Sequence, residues 1–67
     1  MQRYPVNSSR IANIGWESNI MEVQFHNGAI YQYYDVSKSE FDRFMQSPSL
    51  GSALSKFDKC HRYKRIL

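Results

Sequence analysis

A chain of 67 residues with one cysteine, 15% aromatic content and a formal net charge of +3 has room for one domain with a thin core, since a domain near 60 residues buries only about 60% of the surface its unfolded chain exposes. Cys60 has no partner in the chain, which excludes a disulfide-stapled scaffold, and no apolar run approaches the ~20 residues that cross a bilayer. The lone thiol and the polar start Met1-Gln2-Arg3-Tyr4-Pro5 fit a soluble cytoplasmic protein without a signal peptide.

Residues 1–9 read as an irregular lead, with Pro5 and Asn7-Ser8-Ser9 marking a turn or loop. Ile11-Ala12-Asn13-Ile14-Gly15-Trp16 is short, partly β-branched and closed by a Glu-Ser-Asn turn, which suits a first strand. From Ile20 to His26 the side chains alternate: Met21, Val23 and Phe25 share one face, and Glu22, Gln24 and His26 the other. Asn27-Gly28 is a strong hairpin signal, because both residues tolerate positive φ. The next strand runs from Ala29 to about Tyr34.

Two helices follow. Ser37-Lys38-Ser39-Glu40 is a capping box, and Phe41, Phe44 and Met45 then form a narrow apolar stripe. Ser47-Pro48-Ser49 breaks that helix and starts another, with the proline expected in its first turn. In the second helix Leu50, Ala53, Leu54 and Phe57 repeat at helical spacing, and the pattern fades near Cys60. Tyr63 to Ile66 suits either a short final strand or an extended tail. The fold class expected is α+β: an antiparallel meander of three strands, four if the tail pairs, with two short amphipathic helices packed on one face. There are no repeats and no linker, so residues 1–67 form one domain.

The face taken by Tyr31 and Tyr33 depends on the hairpin loop. A two-residue loop, Asn27-Gly28, pairs Phe25 with Ile30 and puts both tyrosines opposite the Met21-Val23-Phe25 face. A three-residue loop, His26-Asn27-Gly28, pairs Phe25 with Ala29, Val23 with Tyr31 and Met21 with Tyr33, which brings the tyrosines to the core. A one-residue slip flips every side chain, so only one register holds. The second is preferred, because it buries an unbroken apolar set and leaves Gln24 and Gln32 outward.

No catalytic constellation stands out. Nucleophilic catalysis needs a nucleophile, a base and an orienting group in mutual reach. Cys60 and His61 are adjacent, and neighbours at a helix end point in different directions. Neither they nor His26 has metal-ligand spacing, and no phosphate-cradling or dinucleotide motif occurs. Cys60 is expected as a small buried residue near a helix end, and His61 as a helix C-terminal residue favoured by the dipole. The expectation is a non-enzyme with no cofactor, no metal and no small-molecule substrate.

Charge is distributed unevenly. Residues 1–55 carry four cations against five carboxylates, while residues 56–67 carry Lys56, Lys59, Arg62, Lys64 and Arg65 against Asp58 alone. Cations neutralise phosphates and Tyr63 offers a stacking surface, so this end is the candidate nucleic-acid contact, with Arg3 and Arg10 joining it if the N-terminal lead lies alongside. The bland alternative is a solvated helix end, where cations are favoured anyway. A membrane surface is a poorer partner, because the tail lacks a large apolar face.

Asn7-Ser8-Ser9-Arg10-Ile11, Ile14-Gly15-Trp16, Val23-x-Phe25, Asn27-Gly28, Tyr31-Gln32-Tyr33, Val36, Phe41-x-x-Phe44 and Ser49-Leu50-Gly51-Ser52 run in the order of the KTSC domain. The chain resembles that short family, named for the C-terminus of some lysyl-tRNA synthetases and found also as a free-standing protein. The resemblance covers about Ser8 to Ile66, and the family's central Y-x-Y is matched by Tyr31 and Tyr33. Trp16 departs from a more usual tyrosine, and Ser37 from a proline that commonly follows the valine. The resemblance implies RNA binding by association with a synthetase, an analogy of company and not of site chemistry.

Two functions are therefore expected to compete. One is nucleic-acid binding through Lys56, Lys59, Arg62, Lys64 and Arg65, with Tyr31, Tyr33 and Tyr63 as stacking candidates. The other is protein interaction or oligomerisation through sheet aromatics or an open edge strand.

Overall fold

The computed structural model describes residues 1–67. One antiparallel sheet holds five strands in chain order: β1 (Arg3–Pro5), β2 (Ile11–Glu17), β3 (Ile20–Phe25), β4 (Ile30–Tyr33) and β5 (Tyr63–Arg65). Helices α1 (Lys38–Met45) and α2 (Leu50–Cys60) connect β4 to β5 and contribute Phe44 and Leu54 to a core that the sheet supplies with Ile11, Ile14, Met21, Val23 and Tyr33. The α+β class stands as expected, with two more strands than the minimum of three.

The central hairpin takes the three-residue loop. Met21 faces Tyr33, Val23 faces Tyr31, and the Phe25 N–H donates to the Ala29 carbonyl at 2.9 Å. Gly28 sits at φ +94°, where glycine has no steric penalty. The β2–β3 turn is tighter: Ser18 and Asn19 both take positive φ, the mirror-image geometry that matches strand twist. In β2 the pairing shifts between Ile11 and Asn13, an irregularity that lets Ile11 and Ile14, three residues apart, both be fully buried.

The helix starts follow local chemistry. The Ser37 hydroxyl accepts from the Glu40 N–H at 3.1 Å, and the Glu40 carboxylate reaches back to the Ser37 N–H. Ser49 caps α2 by accepting from the Ser52 N–H. Pro48 thus precedes the cap and lies outside the first turn, contrary to expectation. Trp16 closes the sheet onto α1: its indole N–H donates to the Val36 carbonyl at 2.8 Å, and its ring stacks on Phe41 at 6.3 Å.

Two further expectations are corrected. The N-terminal lead is not wholly irregular, because Arg3–Pro5 pair with β2 from Arg3 opposite Gly15 to Pro5 opposite Asn13. A proline is admissible there because β1 is an edge strand, where a missing N–H leaves no ladder partner unsatisfied. Cys60 is exposed. The buried stripe of α2 runs Leu54, Phe57 and then His61, whose ring packs 4.6 Å from Phe57, so the inward position that Cys60 was expected to fill goes to its neighbour.

Candidate nucleic-acid interface

The two tyrosines of the hairpin have different surroundings although they share a face. Tyr33 is 2% exposed and packs against Phe57 at 6.3 Å and Tyr63 at 5.2 Å. Its hydroxyl donates to Asp58 Oδ1 at 2.6 Å, tying β4 to α2. Burial first, and then the hydrogen bond to Asp58 and the charge of that carboxylate, hold the phenol far above its ordinary pKa. Tyr33 is a structural residue. Tyr31 is half-buried, set edge-on to Phe25 at 5.5 Å and tilted against Tyr63 at 5.9 Å. Its hydroxyl makes no hydrogen bond within the protein.

Tyr31 and Phe25 line an open cleft of about 440 Å³, rimmed by Arg10 before β2, His26 in the hairpin loop and Arg65 on β5. The register explains the grouping. Phe25 pairs with Ile11, which brings Arg10 beside the hairpin, and Tyr31 pairs with Arg65. The Arg10 guanidinium lies 5.9 Å from the Phe25 ring centre. No aspartate or glutamate side chain lies within ion-pair distance of either arginine and none lines the cleft, while the Arg65 Nε–H donates to the Leu67 backbone oxygen at 2.8 Å. The acids are used elsewhere: Glu22 with Arg3, Asp42 with Lys38, Glu40 with His61 and Asp35 with Arg62.

The basic tract that looks continuous in the sequence is divided in space. Arg65 lines the tyrosine cleft, and Tyr63 packs against Tyr31 and Tyr33 without lining it. Lys64 alternates to the opposite face, across from Gln32. Arg62 lies 3.7 Å from Asp35. Lys56 lines a separate groove between α1 and α2 with Arg43 and Glu40, and Lys59 is exposed in the last turn of α2. Arg10 takes a central place that the sequence reading allowed only conditionally. Counting the β2 register back from the Ser18-Asn19 turn would set Ile11 opposite His26, and the pairing shift between Ile11 and Asn13 sets it opposite Phe25 instead, so the sequence carries no signal for this place.

The face of the sheet away from the helices is polar and internally satisfied. The Arg3 guanidinium pairs with Glu22 and donates to Asn13 at 2.7 Å, while Gln32 donates to the other Glu22 oxygen at 2.8 Å. Asn13 donates in turn to Gln24 at 2.9 Å. This network spends its one carboxylate on structure. His61 is engaged in the same sense: its ring nitrogens lie 3.0 Å from the Tyr34 carbonyl and 2.9 Å from Glu40. Both ring nitrogens are therefore occupied, one at a backbone carbonyl and one at a carboxylate. The histidine clamps β4, α1 and α2 together and is turned away from a role with the exposed Cys60. No group of three potential ligands gathers to hold a metal ion.

The KTSC domain family model matches residues 7–63. A crystal structure of a KTSC domain protein from Yersinia pestis is similar at a TM-score of 0.85 and 36% identity, with 98% of this chain and 97% of that one covered. A Stutzerimonas stutzeri (strain A1501) protein described as uncharacterized is 30% identical over 66 residues, spanning 96% of this chain and 93% of its own. With the Y-x-Y hairpin, the capped helix pair and the match over most of its length, the chain belongs to the KTSC domain family.

Proposed function

We propose that the chain is a non-enzymatic module that binds single-stranded nucleic acid, RNA foremost, through the Arg10–Tyr31–Arg65 end of its sheet. The observation that carries this reading is the cleft with two guanidiniums, neither paired with an aspartate or glutamate, around an aromatic pair. Guanidiniums neutralise phosphates, and each base stacked on an aromatic ring contributes about 1–3 kcal/mol with little sequence preference. The exposed Cys60 and the clamped His61 support a non-catalytic role. A cytoplasmic location, where RNA is met and the thiol stays reduced, belongs to the same reading; no helix is long and apolar enough to cross a membrane.

Titration of a labelled single-stranded RNA by fluorescence anisotropy tests it. Binding at low salt should fall on a log–log plot with a slope near −1.4, about 0.7 for each of two phosphates. Absence of binding at low salt ends the proposal.

One observation favours a protein partner instead. β5 is an edge strand that begins with exposed Tyr63 and is followed by exposed Ile66 and Leu67, a place where a partner strand could add. A hydrodynamic size that grows with concentration would carry that second reading.

A further inference from the structure

Resting on the nucleic-acid reading, we infer that the binding unit is one unpaired nucleotide held astride Arg10, its base in the Tyr31–Phe25 cleft and its phosphate among the hydroxyls of Ser8 and Ser52. Arg10 and Ser9 line two adjoining clefts, the aromatic one and a second of about 400 Å³ where the 7–10 loop meets the start of α2. Both volumes fall within the ~300–1,000 Å³ of small-ligand sites. The two clefts differ in chemistry. The second has a single charged side chain, Arg10, and no carboxylate.

Ser49 and Ser55 donate their hydroxyl protons within the protein, but two hydroxyls of this cleft, those of Ser8 and Ser52, are left as donors. Ser8 Oγ accepts from the Arg10 N–H at 3.2 Å and the Ile11 N–H at 3.3 Å, which occupies its lone pairs. Ser52 Oγ accepts from the Ser49 hydroxyl at 3.1 Å. Neither Ser8 nor Ser52 donates its own proton to a protein acceptor. Unspent donors beside a guanidinium, with no competing acid, suit an oxyanion.

Arg10 forms the partition. Its guanidinium lies against Phe25 on one side and donates to the Gly51 carbonyl at 3.4 Å on the other, so one cation faces both clefts. A nucleotide has the matching layout: a flat π-system, one sugar away from a dianionic or diester phosphate. The larger groove between the helices, about 660 Å³, carries Arg43 and Lys56 but also Glu40, a competing acceptor of a kind that neither cleft at Arg10 contains.

The same chemistry is offered by a free nucleoside monophosphate and by a residue within a strand, and the test separates them. Anisotropy of a labelled RNA oligonucleotide is compared with that of the same strand bearing abasic sites, with adenosine monophosphate as competitor. The intact strand should bind about tenfold more tightly than the abasic one. Tyr31→Leu should remove that preference, while Arg10→Gln should weaken both strands and lower the salt slope by about 0.7. Displacement of the strand by adenosine monophosphate supports the nucleotide unit with the free ligand as its source; preference for the intact strand without displacement supports it with the strand as the source. Equal binding of intact and abasic strands overturns the inference and leaves the nucleic-acid reading standing, whereas no binding of either strand removes both. The abasic comparison uses the unaltered chain, so the folding of a variant does not decide it.

Discussion

Tyr33 and Tyr31 lie two residues apart on one strand, yet what surrounds each ring gives them separate roles. Tyr33 spends its hydroxyl on Asp58 and its ring on Phe57. Tyr33→Phe should cost about 1 kcal/mol, because exposed Asp58 is rehydrated when the bond is lost. In a domain of this size that lowers the Tm by about 4–8 °C in a thermal melt, with nucleic-acid affinity unchanged. The raised phenol pKa adds a pH dependence. The folded state holds the Tyr33 proton more tightly than the unfolded chain, so this stabilisation is full below about pH 10 and is lost as pH rises further. Urea midpoints measured through that range should fall more steeply for the parent chain than for Tyr33→Phe. Gly15 carries a different constraint. A Cβ there would collide with the Gln2 carbonyl oxygen, so Gly15→Ala should displace β1, loosen the Arg3–Glu22 pair and cost about 1–3 kcal/mol. Hydrogen exchange should then show lost protection on the β1–β2 ladder while the β3–β4 ladder stays protected.

At the scale of elements, the caps and the hairpin were legible because their determinants are local. A Ser-x-x-Glu box and a His-Asn-Gly loop closed on an apolar alternation need few distant partners to be read. β1 and β5 were less legible for the opposite reason. Three residues carry too little pattern, and each strand exists by pairing with a neighbour already placed in the sheet. The cleft shows the same limit: Arg65 lay in the basic tract that was singled out, whereas Arg10 depends on the pairing shift in β2. His61 was legible only as a helix end, and its clamp on Glu40 depends on how α1 and α2 meet. Partial burial raises the Glu40 carboxyl, but hydrogen bonds from His61 and the Ser37 N–H, with the charges of His61 and Arg43, outweigh it and hold it below the usual carboxylate range. The carboxylate therefore stabilises the fold above the unfolded-state pKa, and that contribution is lost as pH falls through the lower folded value. Glu40→Gln should be less stable than the parent at neutral pH, and the gap in urea midpoints should close below about pH 4.

At the scale of the whole molecule, the helices and the polar network leave one end of the sheet with unspent chemistry. The face away from the helices satisfies its own hydrogen bonds, and four of the six acids are paired with cations or with His61. What remains open and acid-free is the corner where the 7–10 loop, the hairpin and β5 meet. The net charge of +3 alone would suggest diffuse attraction along the C-terminal tract. The spatial division of that tract argues for a short contact of two phosphates with a correspondingly shallow salt dependence. The most direct measurement is backbone and side-chain NMR shift mapping with single-stranded RNA at low salt. Shifts should concentrate at Arg10, Phe25, Tyr31, Tyr63 and Arg65, with Lys59, Lys64 and the Asn13–Gln24 face unmoved. Shifts confined to Lys56 and Lys59, or no shifts at all, would contradict a contact at this corner.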